Sequence, residues 1–365
     1  MNKKSAILIA ILILIFAFSP VFASVNIREI ERVRKKAVLD GSDSAVVEQF
    51  LADAIAELVN MRDYSSISRA REMIVANEKS TQQSARQQYE QIFTKAAHKA
   101  IKSGFIEASQ LDTPQRQFLA ELNLVILLAE LQDLGLADIS IEKLQSTNSA
   151  VRYWAVKSLT GAELAQQIND AGSSSKNTIG NIIKSLKDVA QNTDPSIIAM
   201  VADFSVNINL PESEDLLLAI AGSRIKKYAA SNVEDELVDI PLLKALYQKL
   251  GSAPAQRKQL AKEFCQLYSY VFQRYISGFD TLSDSQKANL TSVLVEIEDK
   301  IIDKITGIKQ SKVKRLLENN DTQGLQAEHD RLLGSDLSAG AISTKLNVKY
   351  GPDNASTAPE KIKAE

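Results

Sequence analysis

NSAVRYWAVKSL, residues 148–159, decides how the rest of the chain is read. Asn148 is a residue type that accepts backbone N–H groups at a helix start. Val151, Trp154, Ala155 and Leu159 then fall at i, i+3, i+4 and i+8, one face of a helix. Arg152 and Lys157 lie off that stripe. Trp154, the only tryptophan of the chain, is expected to point inward, with Tyr153 at the edge beside Arg152. At an offset of 46 residues, Ile197, Met200 and Val201 repeat the placement of Val151, Trp154 and Ala155. A further amphipathic helix precedes each copy, Ile139–Gln145 before the first and Ile179–Ala190 before the second. Ala171–Lys176 is expected to be a flexible connection between them.

Two helices recurring at this interval fit the range of about 40–47 residues of helical solenoid repeats. The stretch STNSAVRYWAVKSL resembles the second helix of a HEAT repeat: Asn148, Val151, Arg152, Ala155 and Leu159 match the family pattern, and Ser149 stands where the family has proline. In the second copy Asp194 and Pro195 match, and Ile198 stands at the arginine position. The resemblance covers Ala137–Ile208. It implies an all-α, HEAT-like α-solenoid of antiparallel helix pairs whose concave side meets a partner. Arg152, Tyr153 and Lys157 are accordingly the candidate partner-binding residues.

Outward from this centre the pattern stays helical. Upstream, Val46–Leu58 and the polar-faced Gln82–Lys102 carry apolar stripes, and Gly104 reads as the end of the latter. Leu122–Leu131, LNLVILLAEL, is apolar nearly all round and is expected to be buried on several sides. Downstream, Leu216–Ala230, Ile240–Leu250, Gln256–Ile276 and Asp284–Ile305 lack a third copy of the repeat signature and are expected to form a C-terminal helical bundle. Phe264, Tyr268, Phe272, Tyr275 and Phe279 make one stripe there, read as core. The expected divisions are 24–210 for the repeat-bearing region, 211–334 for the C-terminal helical region and 335–365 for a mostly disordered tail.

Lys3 and Lys4, the apolar run Ala6–Phe18, and the small residues of Val21–Ala23 after Pro20 read as an export signal, residues 1–23, cleaved after Ala23. The alternative is an uncleaved inner-membrane anchor over Ser5–Val25. Cys265 is the single cysteine of the 365 residues, so no internal disulfide can form. That points to the periplasm or cell surface of a bacterium. With 43 basic and 45 acidic residues the formal charge is -2, which excludes the basic footprint of a nucleic-acid binder. His98 and His329 lack partners at metal-ligand spacing, and Glu328–Arg331 reads as a solvated helix face. No catalytic constellation, metal or cofactor is expected. The leading expectation is a non-catalytic exported scaffold binding a protein or peptide of the cell envelope. A hydrolase on a helical scaffold and a membrane-anchored assembly factor are the alternatives.

Overall fold

The computed structural model describes residues 25–172, 175–191, 194–351 and 353–362; the expected export segment lies outside them. Among the described residues the regular structure is helical, with two isolated antiparallel bridges, Gly334–Ala339 and Tyr350–Ser356. The fold class is all-α, as expected. The chain divides at Leu131 and Gln132 into two compact units.

The first unit holds α1 (Ile27–Arg34), α2 (Gly41–Asn60), α3 (Tyr64–Ala76), α4 (Arg86–Ser109) and α5 (Pro114–Leu131). A capping box starts α2: the Asp40 carboxylate accepts the Ser42 and Asp43 N–H groups, and the Asp43 side chain accepts the Asp40 N–H. Asp43 is wholly buried and held by Lys36 Nζ at 2.6 Å. Helices α2 and α4 form the main contact of the unit, and α5 packs on both. Gly104 does not end a helix, because α4 runs on to Ser109. A Cβ on Gly104 would lie 2.6 Å from Ile55 Cγ2, so glycine is what lets α4 approach α2. Packing there outweighs the roughly 1 kcal/mol that glycine costs inside a helix. The all-round apolar stretch of α5 is buried as expected, with Leu124, Val125 and Leu127 wholly covered. Its one buried polar residue, Asn123, accepts from Arg71 Nη1 at 2.8 Å and donates to the Leu119 carbonyl at 2.7 Å.

The second unit continues with α6 (Ala137–Lys143), α7 (Ser149–Leu159), α8 (Ala162–Asp170), α9 (Lys176–Gln191), α10 (Pro195–Asn207), α11 (Pro211–Ala229), α12 (Asp239–Lys249), α13 (Arg257–Ser277) and α14 (Asp284–Ile297). After a π-helical stretch, Glu298–Ile302, follow α15 (Asp303–Thr306), α16 (Lys312–Glu318), α17 (Thr322–Leu333) and α18 (Ala341–Leu346). Within pairs, α6 packs on α7, α9 on α10, α11 on α12 and α13 on α14. Between pairs, α6 packs on α9, α9 on α11 and α11 on α13, while α7 packs on α10, α10 on α12 and α12 on α14. The expected boundary at residue 210 therefore falls inside one packed unit, crossed by the contacts of α9 with α11 and of α10 with α12. Three of the starts have a clear local cause: Asn148 caps α7, Asp194 caps α10 with Pro195 in its first turn, and Ser283 with Gln286 makes a capping box for α14.

Residues 335–362 do not form the disordered tail read from composition. They carry α18, and Ile342 and Tyr350 are wholly buried. The Tyr350 hydroxyl lies 2.7 Å from Ser343 Oγ and donates to the Leu333 carbonyl at 3.1 Å. Few apolar residues stand in this segment, but Ile342, Val348, Tyr350 and Ala358 are all buried, an arrangement that an averaged composition conceals.

Four of the five residues of the aromatic stripe are core: Phe264, Tyr268 and Phe272 are fully buried and Tyr275 is 3% exposed, whereas Phe279 lies past the end of α13 and stays half-buried, with Lys287 Nζ 4.8 Å from its ring centre. Cys265 lies beside it, wholly covered, and burial pushes its thiol up to about 12. Native protein at pH 8 is expected to leave a thiol reagent unconsumed over a period in which urea-unfolded protein releases one equivalent of chromophore. Equal rates in both states would contradict the packing of α13.

Candidate functional site

The site predicted from sequence is built on α7. The Asn148 side chain accepts the N–H of Ala150 at 2.9 Å and of Val151 at 3.4 Å, which fixes the first turn. Val151, Ala155, Val156 and Leu159 are buried to 1% exposure or less. Trp154 and Tyr153 stay half-buried, their rings edge-on with centroids 5.8 Å apart. Lys157 is exposed and sets Nζ 4.4 Å from the centre of the Trp154 ring, a cation–π contact. Trp154 is thus less deeply placed than the sequence stripe implied. The smaller residues Val151, Ala155 and Val156 fill the seam, and the indole spans its edge. Met200, the residue at the matching position of α10, is likewise half-buried.

Arg152 turns back instead of outward: its Nη1 donates to the carbonyls of Ser146 at 2.7 Å and Thr147 at 3.0 Å. Its side chain also lines a groove of about 470 Å³, together with Asp194 and Pro195 of the α10 start, Arg224 and Lys227 of α11, and Glu234 and Asp235 of the following loop. Of the three predicted residues, only Arg152 belongs to this groove. Tyr153 and Lys157 belong to the aromatic cluster around Trp154.

The wall of the groove is held by a buried ion pair. Arg224 Nε lies 2.7 Å from Asp239 Oδ1 and its Nη2 3.2 Å from Oδ2, with both side chains buried. The same guanidinium donates to the carbonyls of Glu234 at 2.8 Å and Asp235 at 3.2 Å, and the Tyr228 hydroxyl donates to Asp239. Burial works against the charge on Arg224, but the Asp239 carboxylate outweighs it and holds the guanidinium above its ordinary value. Burial pushes Asp239 itself upward, opposed by Arg224. Asp235, at φ 54°, adopts the left-handed backbone that a short polar side chain tolerates, and two of the Arg224 donors stabilise that turn. The cluster therefore rigidifies the acidic rim facing Arg152. A sequence signal for it exists: Arg224 interrupts the apolar stripe Leu217, Ile220, Ala221 and Tyr228, a position where only a paired charge can be buried.

A second polar cluster joins α13 to α17. His329 is 5% exposed, not on a solvated face. Its Nε2 lies 2.8 Å from Ser269 Oγ and its Nδ1 2.9 Å from Asp330 Oδ1, and its ring meets Phe272 edge-on. Gln273 Nε2 donates to Ser269 Oγ at 2.8 Å. Burial lowers the imidazole below its ordinary value, so it is neutral at pH 7, donating to Asp330 and accepting from Ser269. The order Ser–His–Asp is that of an activated nucleophile, but Ser269 is wholly buried within α13, where a substrate carbonyl has no access. The cluster pins two helices together. Among the described residues, no three or more His, Cys, Asp or Glu side chains gather as a metal site, and no helix is long and apolar enough to cross a membrane.

No protein-family model matches the chain, and no curated protein matches it. One similar solved structure is that of an engineered protein, 14% identical, covering 87% of this chain and 94% of that one at a TM-score of 0.26. That likeness carries no weight for fold family or function.

Proposed function

We propose that the protein is an exported, HEAT-like helical scaffold that binds a peptide segment of another cell-envelope protein along α7 and the adjoining groove. The architectural part rests on the register of packing in the second unit. First helices (α6, α9, α11, α13) stack on first helices and second helices (α7, α10, α12, α14) on second helices, the pattern expected of a solenoid. On this reading the pairs run on past residue 210, and the expected C-terminal bundle continues the stack.

The observation that carries the binding part is the exposed flank of α7. A helix buried on its other face keeps an edge-on Tyr–Trp pair capped by a lysine half in water, next to a groove whose rim is preset by Arg224. Aromatic rings with partial exposure supply contact area at low entropic cost, and Tyr, Trp and Arg dominate protein interfaces. Arg152, already held by two carbonyls, presents a charge with little left to lose on binding.

The test is a photo-crosslinking amino acid placed at Tyr153 and, as control, at the exposed Lys258, in cells that express the protein. A discrete adduct from position 153 only is expected. The Arg152→Ala/Tyr153→Ala double variant, with unchanged circular dichroism, is expected to lose at least tenfold in capture of that partner. The same adducts from both positions, or undiminished capture by the double variant, would remove this surface from consideration.

A further inference from the structure

The end of the described chain is held in an unusual way. Glu360 and Ile362 lie along α13 without a partner strand, yet their backbone groups are paired. The Glu360 N–H donates to Gln266 Oε1 at 2.9 Å, and the Glu360 carbonyl accepts from Gln266 Nε2 at 3.0 Å and from Gln273 Nε2 at 2.9 Å. The Ile362 N–H donates to Gln273 Oε1 at 2.8 Å. In an extended segment, residues two apart present their backbone groups to the same side, and two helical turns separate Gln266 from Gln273. The two amides therefore act as a strand edge built from side chains. Further back, Lys262 Nζ donates to the Gly351 carbonyl at 2.9 Å.

What holds the segment is mostly main chain. The Glu360 side chain is exposed, and Lys361 only approaches Asp336, at 3.7 Å with both largely in solvent. Ala358 and Pro359 are the buried side chains. Beneath them lies a cavity of about 280 Å³ bordered by Gln273, His329, Asp330, Asp336 and Lys361. The floor is rigid: Gln273 is braced by Ser269, and Ser269 by His329.

We propose that α13 carries a binding site for an extended peptide backbone, and that the chain's own segment Ser356–Ile362 is its displaceable internal ligand. The site recognises the pattern of one small residue and a proline followed by a free strand edge, with acidic groups at Asp330 and Asp336 favouring a basic side chain at the Lys361 position. It is independent of the surface at α7. Because the resident segment is tethered, its effective concentration is on the order of millimolar, so a peptide supplied in trans competes poorly until the tether is weakened.

The experiment uses the full chain. Ala358→Asp puts a charge into the buried position of the segment and leaves every groove residue intact. A fluorescein-labelled peptide copying Asp353–Glu365 is titrated by anisotropy against the natural chain, the A358D chain, and A358D carrying Gln266→Ala and Gln273→Ala, with amide exchange at Glu360 and Ile362 followed in each. In the natural chain both amides are expected to be protected at least a hundredfold, with weak peptide binding. A358D is expected to lose that protection and bind the peptide at least tenfold more tightly, and the glutamine replacements to abolish the gain. Free exchange in A358D without peptide binding would overturn the proposal, as would protection that persists in A358D, since the segment would then not be displaceable. Loss of the unfolding transition seen by Trp154 in A358D would make the segment an indispensable part of the core and overturn it equally.

Discussion

Replacing Arg224 with alanine is expected to lower the unfolding free energy of the second unit by about 3–5 kcal/mol. The cost comes less from the lost attraction than from what remains. Asp239 is wholly buried and keeps, of its partners, the Tyr228 hydroxyl; without the guanidinium its charge is uncompensated in a low-dielectric seam. The carbonyls of Glu234 and Asp235 lose their donors as well, so the loop that rims the groove is released. Trp154 is the only tryptophan and lies in this unit, so its fluorescence in a urea titration reads the transition directly. Burial already pushes Asp239 upward, and removal of Arg224 pushes it further. Protonation then relieves the buried charge, so the deficit of R224A shrinks as pH falls toward 4. In an Arg224→Met/Asp239→Leu double variant, which leaves no charge to strand, stability should return to within about 1–2 kcal/mol of the natural chain. A deficit of R224A below about 1 kcal/mol would mean that water reaches Asp239, and that the groove wall is not the rigid element described.

The same pair marks where sequence reading stops. Stripes that repeat at helical spacing were legible: Val151, Ala155 and Leu159 are buried, the all-round apolar run of α5 is covered, and the aromatic stripe of α13 is core from Phe264 to Tyr275. These follow from periodicity, a local property. Arg224, Asp239 and His329 are charged or titratable residues whose burial depends on a partner 10, 15 or 60 residues away, and the periodicity of a single helix does not reveal which residue that partner is. The solvated face expected at Glu328–Arg331 failed for this reason, since Ser269 and Phe272 of another helix close over His329. Gly104 failed in the opposite sense. Its local propensity signals a helix end, whereas its absent side chain serves Ile55 on α2, 49 residues earlier. Of the candidate site, Arg152, Tyr153 and Lys157 share helix α7, as the spacing implied. That Arg152 would face a groove walled by Arg224 and Asp235 could come only from the packing of α7, α10 and α11.

Phe272→Ala is the second substitution for which a loss of about 3–5 kcal/mol is expected, for the opposite physical reason. Nothing charged is stranded; a ring-sized void opens where Tyr268 packs edge-on at 5.1 Å and His329 at 5.7 Å. The ring is wholly buried, and α13 contacts α11, α12, α14 and α17, so the surrounding helices cannot collapse into the space without breaking other contacts. The consequence reaches His329. Its imidazole is held below the ordinary value of 6.5 by burial, so the unfolded state binds the proton more readily than the folded one. In the natural chain this contribution is fully present above pH 6.5 and is lost as pH falls through the depressed folded value. In F272A, water in the void restores solvation to the imidazolium and raises the folded value back toward the unfolded one. The variant is therefore expected to unfold at a lower urea concentration at every pH and to show a shallower decline between pH 7 and pH 5 than the natural chain. Parallel pH profiles with a fixed offset would show that Phe272 contributes packing alone, and that the desolvation of His329 comes from the helices on its other side.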